Sequence, residues 1–210
     1  MSESRAKKIK LILYDVDGVM TDGTIFLFPA PGGAQSGATH QDRHDKADAG
    51  GYAIASNEIV EAKGFNAHDG TAISLARLAG LKQGVITKRI SETVRLRARD
   101  LKLEHVYQGA ADKLTVFREI LAKEKISADE VAYVGDDIID LPVMRVCGLA
   151  IAVGNAREEV KRESHHVTEN TGGHGAVRDA VEYILKAQGK LEAAVEAYIS
   201  QRTPVAEKLQ

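Results

Sequence analysis

The sequence has a single cysteine, no tryptophan and only 5% aromatic residues among its 210 positions. One cysteine, Cys147, rules out an intrachain disulfide framework. The apolar run at 11–14 is too short for a signal peptide core or a membrane span, and no later window approaches the roughly 18 apolar residues that a span needs. A formal net charge of −2 provides no general attraction to nucleic acid or to an anionic membrane. We therefore expect a soluble, cytoplasmic chain.

Short apolar runs alternate with longer segments of helical period along most of the chain. This alternation predicts an α/β fold, a doubly wound parallel sheet of the Rossmann-like kind with helices on both faces. Burial on both faces also explains why KLILY and VAYVG are almost continuously apolar. The predicted strands are residues 9–14, 84–87, 105–107, 131–135 and 149–153, and the predicted helices are residues 71–79, 91–101, 113–123 and 141–146.

Two regions depart from the alternation. Residues 24–28 and 59–66 resemble the arms of a protruding β-hairpin, and the Gly- and Pro-rich segment between them is too long for a turn, which predicts an excursion or lid at about 29–58. At the other end, apolar residues recur every four positions after residue 189, which predicts an amphipathic helix at about 189–201. We expect residues 1–210 to form one domain that carries both features, with an apolar stripe of Leu191, Val195 and Ile199.

The strongest chemical signal is the segment LILYDVDGVMTDG. An apolar strand runs into Asp15, and Asp17 follows two positions later, so the strand period places both carboxylates on one side. The carboxyl ends of parallel strands form the edge at which open α/β sheets bind ligands. Two carboxylates this close repel each other unless a cation lies between them or one is protonated, and both conditions suit phosphoryl transfer.

Two other residues, Thr87 and Lys113, could bind phosphate. Thr87 ends a predicted strand, where a hydroxyl and backbone N–H groups can hold phosphate oxygens, although a helix-capping role fits it equally well. Lys113 begins a predicted helix behind the N-cap Asp112. A cation at that end opposes the helix dipole, and a bound anion would remove the conflict.

A second acidic cluster occurs in VAYVGDDIIDLPVM. The predicted strand ends in Gly135 and is followed by Asp136, Asp137 and Asp140. Three carboxylates within five residues at a sheet edge need a hard cation or exposure to water. Together with the cluster at Asp15, they predict a shared metal site.

These four elements, in this order, resemble the motifs of the haloacid dehalogenase superfamily of aspartyl phosphotransferases. The resemblance extends to its capless 3-deoxy-D-manno-octulosonate 8-phosphate phosphatases, which help to make lipopolysaccharide sugar. It is carried by DVDGVMTDG, EAKGFNAHDG, VITKR, HVYQGAADKL, VAYVGDDIIDLPVM and TGGHGAVRDAVEYILKAQGKL. It implies a homotetramer in which the hairpin and C-terminal segment of one subunit complete the active site of a neighbour.

The resemblance also implies roles for individual residues. Asp15 would be the nucleophile and Asp17 the proton donor and acceptor. Mg²⁺ would be held by the carboxylates of Asp15 and Asp136 and the backbone carbonyl of Asp17. Phosphate would bind Thr87 and Lys113, the substrate would contact Asn66, Asp69, Gly70, Arg89 and Arg97, and Asp137 and Asp140 would orient waters or Lys113.

Several positions depart from the family pattern. Arginines usual in the family are replaced by His68, Ser74 and His174, and Lys88 replaces a glycine. The phosphatase chemistry is therefore better supported than the substrate, and a sialic-acid-type 9-phosphate remains an alternative.

Other interpretations stay open. A catalytically silent oligomerisation module would be expected to lack part of the motif set, and a receiver domain would lack the second aspartate of the DxD pair. Within the insertion, His40, His44 and Asp48 have the spacing of a metal-binding helix face, but the surrounding composition favours a polar excursion.

Overall fold

A six-stranded sheet forms the centre of the computed structural model, which describes residues 2–29, 52–53 and 59–202. Every hydrogen-bonded pair in this sheet is parallel, as predicted from the alternating pattern. The strands of the chain are β1 (Leu11–Tyr14), β2 (Phe26–Pro29), β3 (Tyr52–Ala53), β4 (Ile59–Ala62), β5 (Lys82–Ile86), β6 (Arg89–Ile90), β7 (His105–Tyr107), β8 (Val131–Gly135), β9 (Leu149–Ala152) and β10 (His166–Val167). The order in the central sheet is β10-β9-β8-β1-β5-β7.

Eight α-helices lie within the described residues. They are α1 (Ser2–Ala6), α2 (Ala67–Leu78), α3 (Glu92–Leu101), α4 (Lys113–Glu124), α5 (Leu141–Met144), α6 (Glu158–Glu163), α7 (Ala176–Ala187) and α8 (Leu191–Arg202). The five strands and four helices predicted from the sequence are all present, with ends that differ by a few residues.

The strand order explains why helices cover both faces of the sheet. The chain passes from β1 through β5 to β7 in one direction, and then from β8 through β9 to β10 in the other. Because parallel crossovers are right-handed, the two directions place their helices on opposite faces. The reversal occurs beside β1, which is fully buried between β5 and β8. Ligands of open α/β sheets bind at such a point.

The predicted hairpin is present as β2 paired with β4 in antiparallel register, from Phe26 opposite Ala62 to Pro29 opposite Ile59. Its strands lie outside the central sheet, and the short strand β3 pairs instead with β6. Most of the predicted excursion, including the positions of His40, His44 and Asp48, lies outside the described residues.

The boundary between the hairpin and α2 differs from the prediction. The predicted hairpin arm ends at residue 66 and the predicted helix starts at 71, whereas α2 begins at Ala67. Asn66 is the cause, because its side chain accepts a hydrogen bond from the His68 N–H at 2.8 Å and caps the helix. Asp69 and Gly70 therefore belong to the first turn of α2 and not to the hairpin arm.

The C-terminal helix is present as α8, but its apolar stripe differs from the predicted one. Leu191 and Val195 pack against the core as expected, whereas Ile199 is 52% exposed. Ala194 and Tyr198 complete the packed face instead.

The structure also contains elements that the sequence analysis did not assign, above all α7, which packs against α2. None of the helices within the described residues combines the length and the apolar character needed to cross a membrane.

Candidate active site

A cleft opens where β1, β5 and β8 end. It has a volume of about 310 Å³ and collects side chains from three separated stretches of sequence. Four of the predicted chemical residues, Asp15, Asp17, Thr87 and Asp136, line it. The remaining lining residues are Ile25, Lys88, Arg89, Asp137 and Ile139.

Asp15 lies at the base of this cleft, directly after β1, and is only 4% exposed. Its Oδ1 lies 2.8 Å from the Nζ of Lys113, which begins α4. The same ammonium lies 2.7 Å from Oδ1 of Asp140. Lys113 is itself buried, so two carboxylates share one enclosed cation. This pairing resolves the unfavourable position of a lysine at a helix start, because carboxylates replace the missing anion.

The Asp140 side chain is fully buried and accepts hydrogen bonds from several parts of the site. Its Oδ1 also accepts a hydrogen bond from the Tyr133 hydroxyl at 2.8 Å. Its Oδ2 accepts from the backbone N–H groups of Asp136 at 3.0 Å and Asp137 at 3.3 Å. One carboxylate thus fixes the loop after β8 and the Lys113 side chain together. Asp137 points elsewhere, accepting from the Ile138 N–H at 2.7 Å at the start of a short 3₁₀ turn.

Asp136 faces Asp15 across the cleft, and the backbone at Gly18 leaves little space beside the Asp136 carboxylate. A Cβ built on Gly18 would lie 2.2 Å from Oδ2 of Asp136, and Gly18 has φ of +95°. Only glycine suits both the conformation and the contact. The other oxygen of Asp136, Oδ1, is buried and has no hydrogen-bond partner within the described residues.

Burial and mutual repulsion shift the acid–base behaviour of these carboxyls. Burial raises the pKa of Asp15 to about 7 even though the Lys113 charge lowers it, and the Asp140 charge raises it further. The pKa of Asp136 rises to about 8, first through burial and then through the charges of Asp15 and Asp140. Burial is the main cause of both pKa shifts, because an enclosed carboxylate is less stable in its ionised form.

These carboxylates fit a divalent cation. Ligand oxygens of Asp15, Asp136 and Asp140 lie within 4.8 Å of one another. Both Asp140 oxygens already accept hydrogen bonds, which leaves Asp15 and the partnerless oxygen of Asp136 as the available carboxylate ligands. Hard cations such as Mg²⁺ prefer oxygen ligands of this type. The predicted contribution of the Asp17 backbone carbonyl stays a prediction.

The opposite wall of the cleft is formed by the segment after β5. Thr87 is 2% exposed and its hydroxyl accepts a hydrogen bond from the Arg89 N–H at 3.3 Å. This local turn presents Lys88 and Arg89 at the rim of the cleft. The wall therefore offers a hydroxyl and two cations to an anionic ligand.

Asp17 is held between two cations. Its Oδ1 contacts Nζ of Lys63, and its Oδ2 lies 3.4 Å from Nε of Arg89. Lys63 follows β4 and its side chain is completely enclosed. Lys63 lies in the segment EAKGFNAHDG, but it was not among the predicted site residues.

Four of the predicted substrate-binding residues do not line this cleft, namely Asn66, Asp69, Gly70 and Arg97. Asp69 is 3% exposed and accepts a hydrogen bond from the Arg178 N–H at 2.9 Å, so it caps the start of α7. A Cβ on Gly70 would lie 2.6 Å from Nη2 of Arg97, and the Arg97 guanidinium lies 5.7 Å from the Phe65 ring centroid. Asp69 and Gly70 thus join α2 to α7 and α3, and Asn66 caps the start of α2.

Comparison with known proteins gives consistent findings. Residues 4–180 match the model of the haloacid dehalogenase-like hydrolases. The chain is 37% identical over 190 residues to the 3-deoxy-D-manno-octulosonate 8-phosphate phosphatase KdsC of Yersinia pestis, across 90% of this chain and 87% of that protein.

Solved structures of such phosphatases share the fold. The crystal structure from Yersinia pestis gives a TM-score of 0.76 at 36% identity, with 91% of this chain and 88% of that chain covered. The one from Moraxella catarrhalis, in complex with magnesium ion, phosphate ion and a KDO molecule, also gives 0.76 at 34% identity, with 93% and 97% covered.

Proposed function

The chain belongs to the haloacid dehalogenase-like hydrolases, and on that premise we propose that it hydrolyses a phosphomonoester through an aspartyl-phosphate. The proposed substrate is 3-deoxy-D-manno-octulosonate 8-phosphate, and the products are the sugar acid and inorganic phosphate. The observation that carries this proposal is the contact between Asp15 and Lys113, at 2.8 Å, in the cleft that also contains Asp17, Thr87 and Asp136.

In the first half-reaction, a carboxylate oxygen of Asp15 attacks phosphorus in line with the departing alcohol. The bond from Asp15 to phosphorus forms as the bond from phosphorus to the alcohol oxygen breaks. Asp17 transfers a proton to that oxygen, so the product leaves as a neutral hydroxyl. Thr87 and Lys113 bind the oxygens of the phosphoryl group while its charge redistributes.

In the second half-reaction, water attacks the phosphorus of the aspartyl-phosphate. Asp17, now ionised, accepts a proton from that water, and the bond between phosphorus and the Asp15 oxygen breaks. Inorganic phosphate leaves and the Asp15 carboxylate is restored.

Mg²⁺ is the proposed cofactor, held by the carboxylates of Asp15 and Asp136 and by the backbone carbonyl of Asp17. When bound, it supplies positive charge that offsets the repulsion between an anionic nucleophile and an anionic phosphate. Asp137, which lines the cleft, is proposed to orient water there, and Asp140 supports the site from its buried side. Asp140 does so by fixing the Asp136 backbone and the Lys113 side chain.

The choice of an acidic sugar phosphate rests on the named relatives and on the charge at the rim. Arg89 is the proposed substrate contact within the same chain, because it lines the cleft beside Asp17. Asn66 and Arg97 are assigned to contacts with substrate in the cleft of a neighbouring copy. Asp69 and Gly70 act in this proposal by shaping α2, since both are buried.

A nine-carbon, sialic-acid-type 9-phosphate is the second candidate. This candidate is favoured by the positions at which the family pattern has an arginine and this chain does not. Ser74 donates its hydroxyl to the Gly70 carbonyl at 3.2 Å, so it places no cation near a ligand. The ring of His174 lies with Nδ1 3.0 Å from the Gly172 carbonyl oxygen, within its own loop. Neither position therefore supplies the arginine that the family pattern for the eight-carbon acid would place there.

A homotetramer is part of the proposal. The hairpin residues that would reach a neighbour are apolar and exposed, which is unusual for a surface in water. Phe26, Leu27 and Phe28 are 47%, 53% and 52% exposed, and Ile59 and Val60 on the facing strand are 38% and 44% exposed. By the same resemblance we place one phosphatase domain over residues 1–210, in the cytoplasm, in the synthesis of lipopolysaccharide sugar. A non-catalytic oligomerisation module is disfavoured, because each residue of the chemical motifs is present.

The test is a turnover screen. The purified chain with Mg²⁺ is offered a panel of phosphorylated sugars that includes the eight-carbon and nine-carbon acids, and phosphate release is measured. The proposal predicts the highest kcat/KM for the eight-carbon acid, and complete loss of phosphate release in Asp15→Asn and after exhaustive treatment with EDTA. Asp100→Asn, which changes an exposed carboxylate on α3, is the matched control. Unchanged turnover in Asp15→Asn would refute the nucleophile, and a preference for the nine-carbon acid would select the second candidate.

A further inference from the structure

Lys63 reaches the cleft from outside the central sheet. It follows β4, the second arm of the hairpin, yet its Nζ contacts Oδ1 of Asp17 after β1. On its other side, Nζ lies 3.5 Å from Oε1 of Glu61. The Lys63 side chain has no exposed surface, and the Asp17 and Glu61 side chains are only 22% and 11% exposed.

The lysine is held in place by more than its two ion pairs. Glu61 Oε1 also accepts a hydrogen bond from the Ser91 hydroxyl at 2.7 Å. Ser91 is the N-cap of α3, and Thr93 in the first turn donates to the Glu61 carbonyl at 3.3 Å. The contacts thus run from the start of α3 through Glu61 and Lys63 to Asp17. An enclosed ammonium with paired carboxylates has little freedom to move, because leaving its partners would strand a buried charge.

We propose that Lys63 is a positioning residue that fixes the Asp17 carboxylate for proton transfer to the leaving oxygen. This inference rests on the proposed function, in which Asp17 is the proton donor. Arg89 contacts the other oxygen of Asp17, but its side chain is 23% exposed at the rim of the cleft, where a substrate can draw it away. Lys63 approaches from the enclosed side and keeps its contact when the substrate binds.

A positioning role has a consequence that a purely structural role lacks. A sugar alcohol is a poor leaving group and needs a proton as it departs, whereas p-nitrophenolate leaves without one. Disturbing Asp17 must therefore slow hydrolysis of an alkyl phosphate more than hydrolysis of p-nitrophenyl phosphate. The comparison is made in kcat/KM, which does not include the later hydrolysis of the aspartyl-phosphate when the first half-reaction is irreversible.

The experiment uses the full chain with Mg²⁺ and five variants: Lys63→Met, Lys63→Arg, Asp17→Asn, the double variant Lys63→Met with Asp17→Asn, and Lys123→Met as an exposed-lysine control. Each is assayed with p-nitrophenyl phosphate and with the best alkyl phosphate of the screen. Thermal melting of every variant separates loss of fold from loss of proton transfer. If Lys63→Met is too unstable to assay, Lys63→Gln takes its place.

We expect Lys63→Met to lower kcat/KM for the alkyl phosphate by about 10²-fold, which is the lower end of the range for general acid catalysis. The loss of kcat/KM for p-nitrophenyl phosphate should be about ten times smaller. Lys63→Arg should recover most of the alkyl activity. The double variant should be no slower than Asp17→Asn alone, because both changes remove one function.

Equal losses on the two substrates, or effects of Lys63→Met and Asp17→Asn that multiply, would overturn the role of Lys63. Those outcomes leave the phosphatase proposal standing. That proposal fails separately, when the unaltered chain releases no phosphate from either ester.

Discussion

Asp140 accepts a hydrogen bond from the Asp136 N–H at 3.0 Å with one carboxylate oxygen while its other oxygen lies 2.7 Å from Lys113 Nζ. This relationship places the loop after β8 and the first residue of α4 on a single buried group. Because Lys113 in turn contacts Asp15, the positions of both proposed metal-binding carboxylates depend on Asp140.

Removing the Lys113 charge should damage both stability and activity. Lys113→Met leaves the buried carboxylates of Asp15 and Asp140 without their cation, and breaking a buried pair from one side costs about 3–5 kcal/mol. We expect urea denaturation to show a loss of that size and phosphate release to be abolished. Lys123→Met, an exposed change near the end of the same helix, should alter the free energy of unfolding by less than about 0.5 kcal/mol. Equal effects from the two variants would contradict the assignment.

Without metal, the protein should become less stable as the pH rises. The pKa of Asp136 is about 8 in the folded chain and 3.8 in the reference state, so the folded state binds more protons between those values. Stability therefore falls across that window, and Asp15, whose pKa is about 7, acts in the same direction. In EDTA we expect Tm to drop from pH 5 to pH 8, by about 2–4 °C for each kcal/mol lost.

Asp136→Asn is the variant that checks this pH dependence. The amide cannot ionise, so the drop in Tm between the two pH values should shrink clearly. A variant that keeps the full drop would show that the titration belongs to other groups.

Mg²⁺ should stabilise the folded chain and reverse the pH effect. A ligand at 100 times its Kd contributes about 2.7 kcal/mol to the free energy of unfolding. For a chain of this length that corresponds to a rise in Tm of roughly 5–10 °C. Differential scanning fluorimetry with increasing Mg²⁺ measures the rise, and Asp136→Asn should abolish most of it. An equal rise in the variant would place the ion elsewhere.

Gly18 and Gly80 provide a matched pair for testing the close contact at Asp136. Both have positive φ, +95° and +81°, so an alanine at either position is strained by about 1–2 kcal/mol. Only at Gly18 would the new Cβ meet Asp136, whereas the Cβ position on Gly80 has no atom within 4 Å among those described. We expect Gly18→Ala to lose at least as much stability as Gly80→Ala, because the contact with Asp136 adds to the backbone strain. Gly18→Ala alone should lose the Mg²⁺-dependent rise in Tm and about 10²-fold in kcat.

The parts of the site that could be predicted are those that follow from strand ends. Asp15, Thr87 and Asp136 each come directly after an apolar strand, and the carboxyl ends of parallel strands share one edge. The rule is local in sequence, so no knowledge of long-range folding was needed. Lys113 could also be predicted from its local sequence. A lysine at the start of a helix is unfavourable unless an anion lies nearby.

The parts that could not be predicted depend on contacts between distant elements. Lys63, after the hairpin strand β4, contacts Asp17, which lies 46 residues earlier in the chain. Asp69 accepts a hydrogen bond from the Arg178 N–H in the first turn of α7, a helix whose N-cap residue, Gly175, has no side chain. Both contacts join residues that are far apart in the sequence, so strand and helix periods do not predict them.

The double role of Asp140 has a final consequence for how this protein would lose its activity. Many binding sites lie on loops that melt before the rest of the chain. Here Tyr133 of a central strand, the lysine and the acidic loop share one carboxylate with no access to solvent, so the loop cannot loosen while the sheet persists. In a titration with urea, turnover and secondary structure should therefore vanish together, in one cooperative transition.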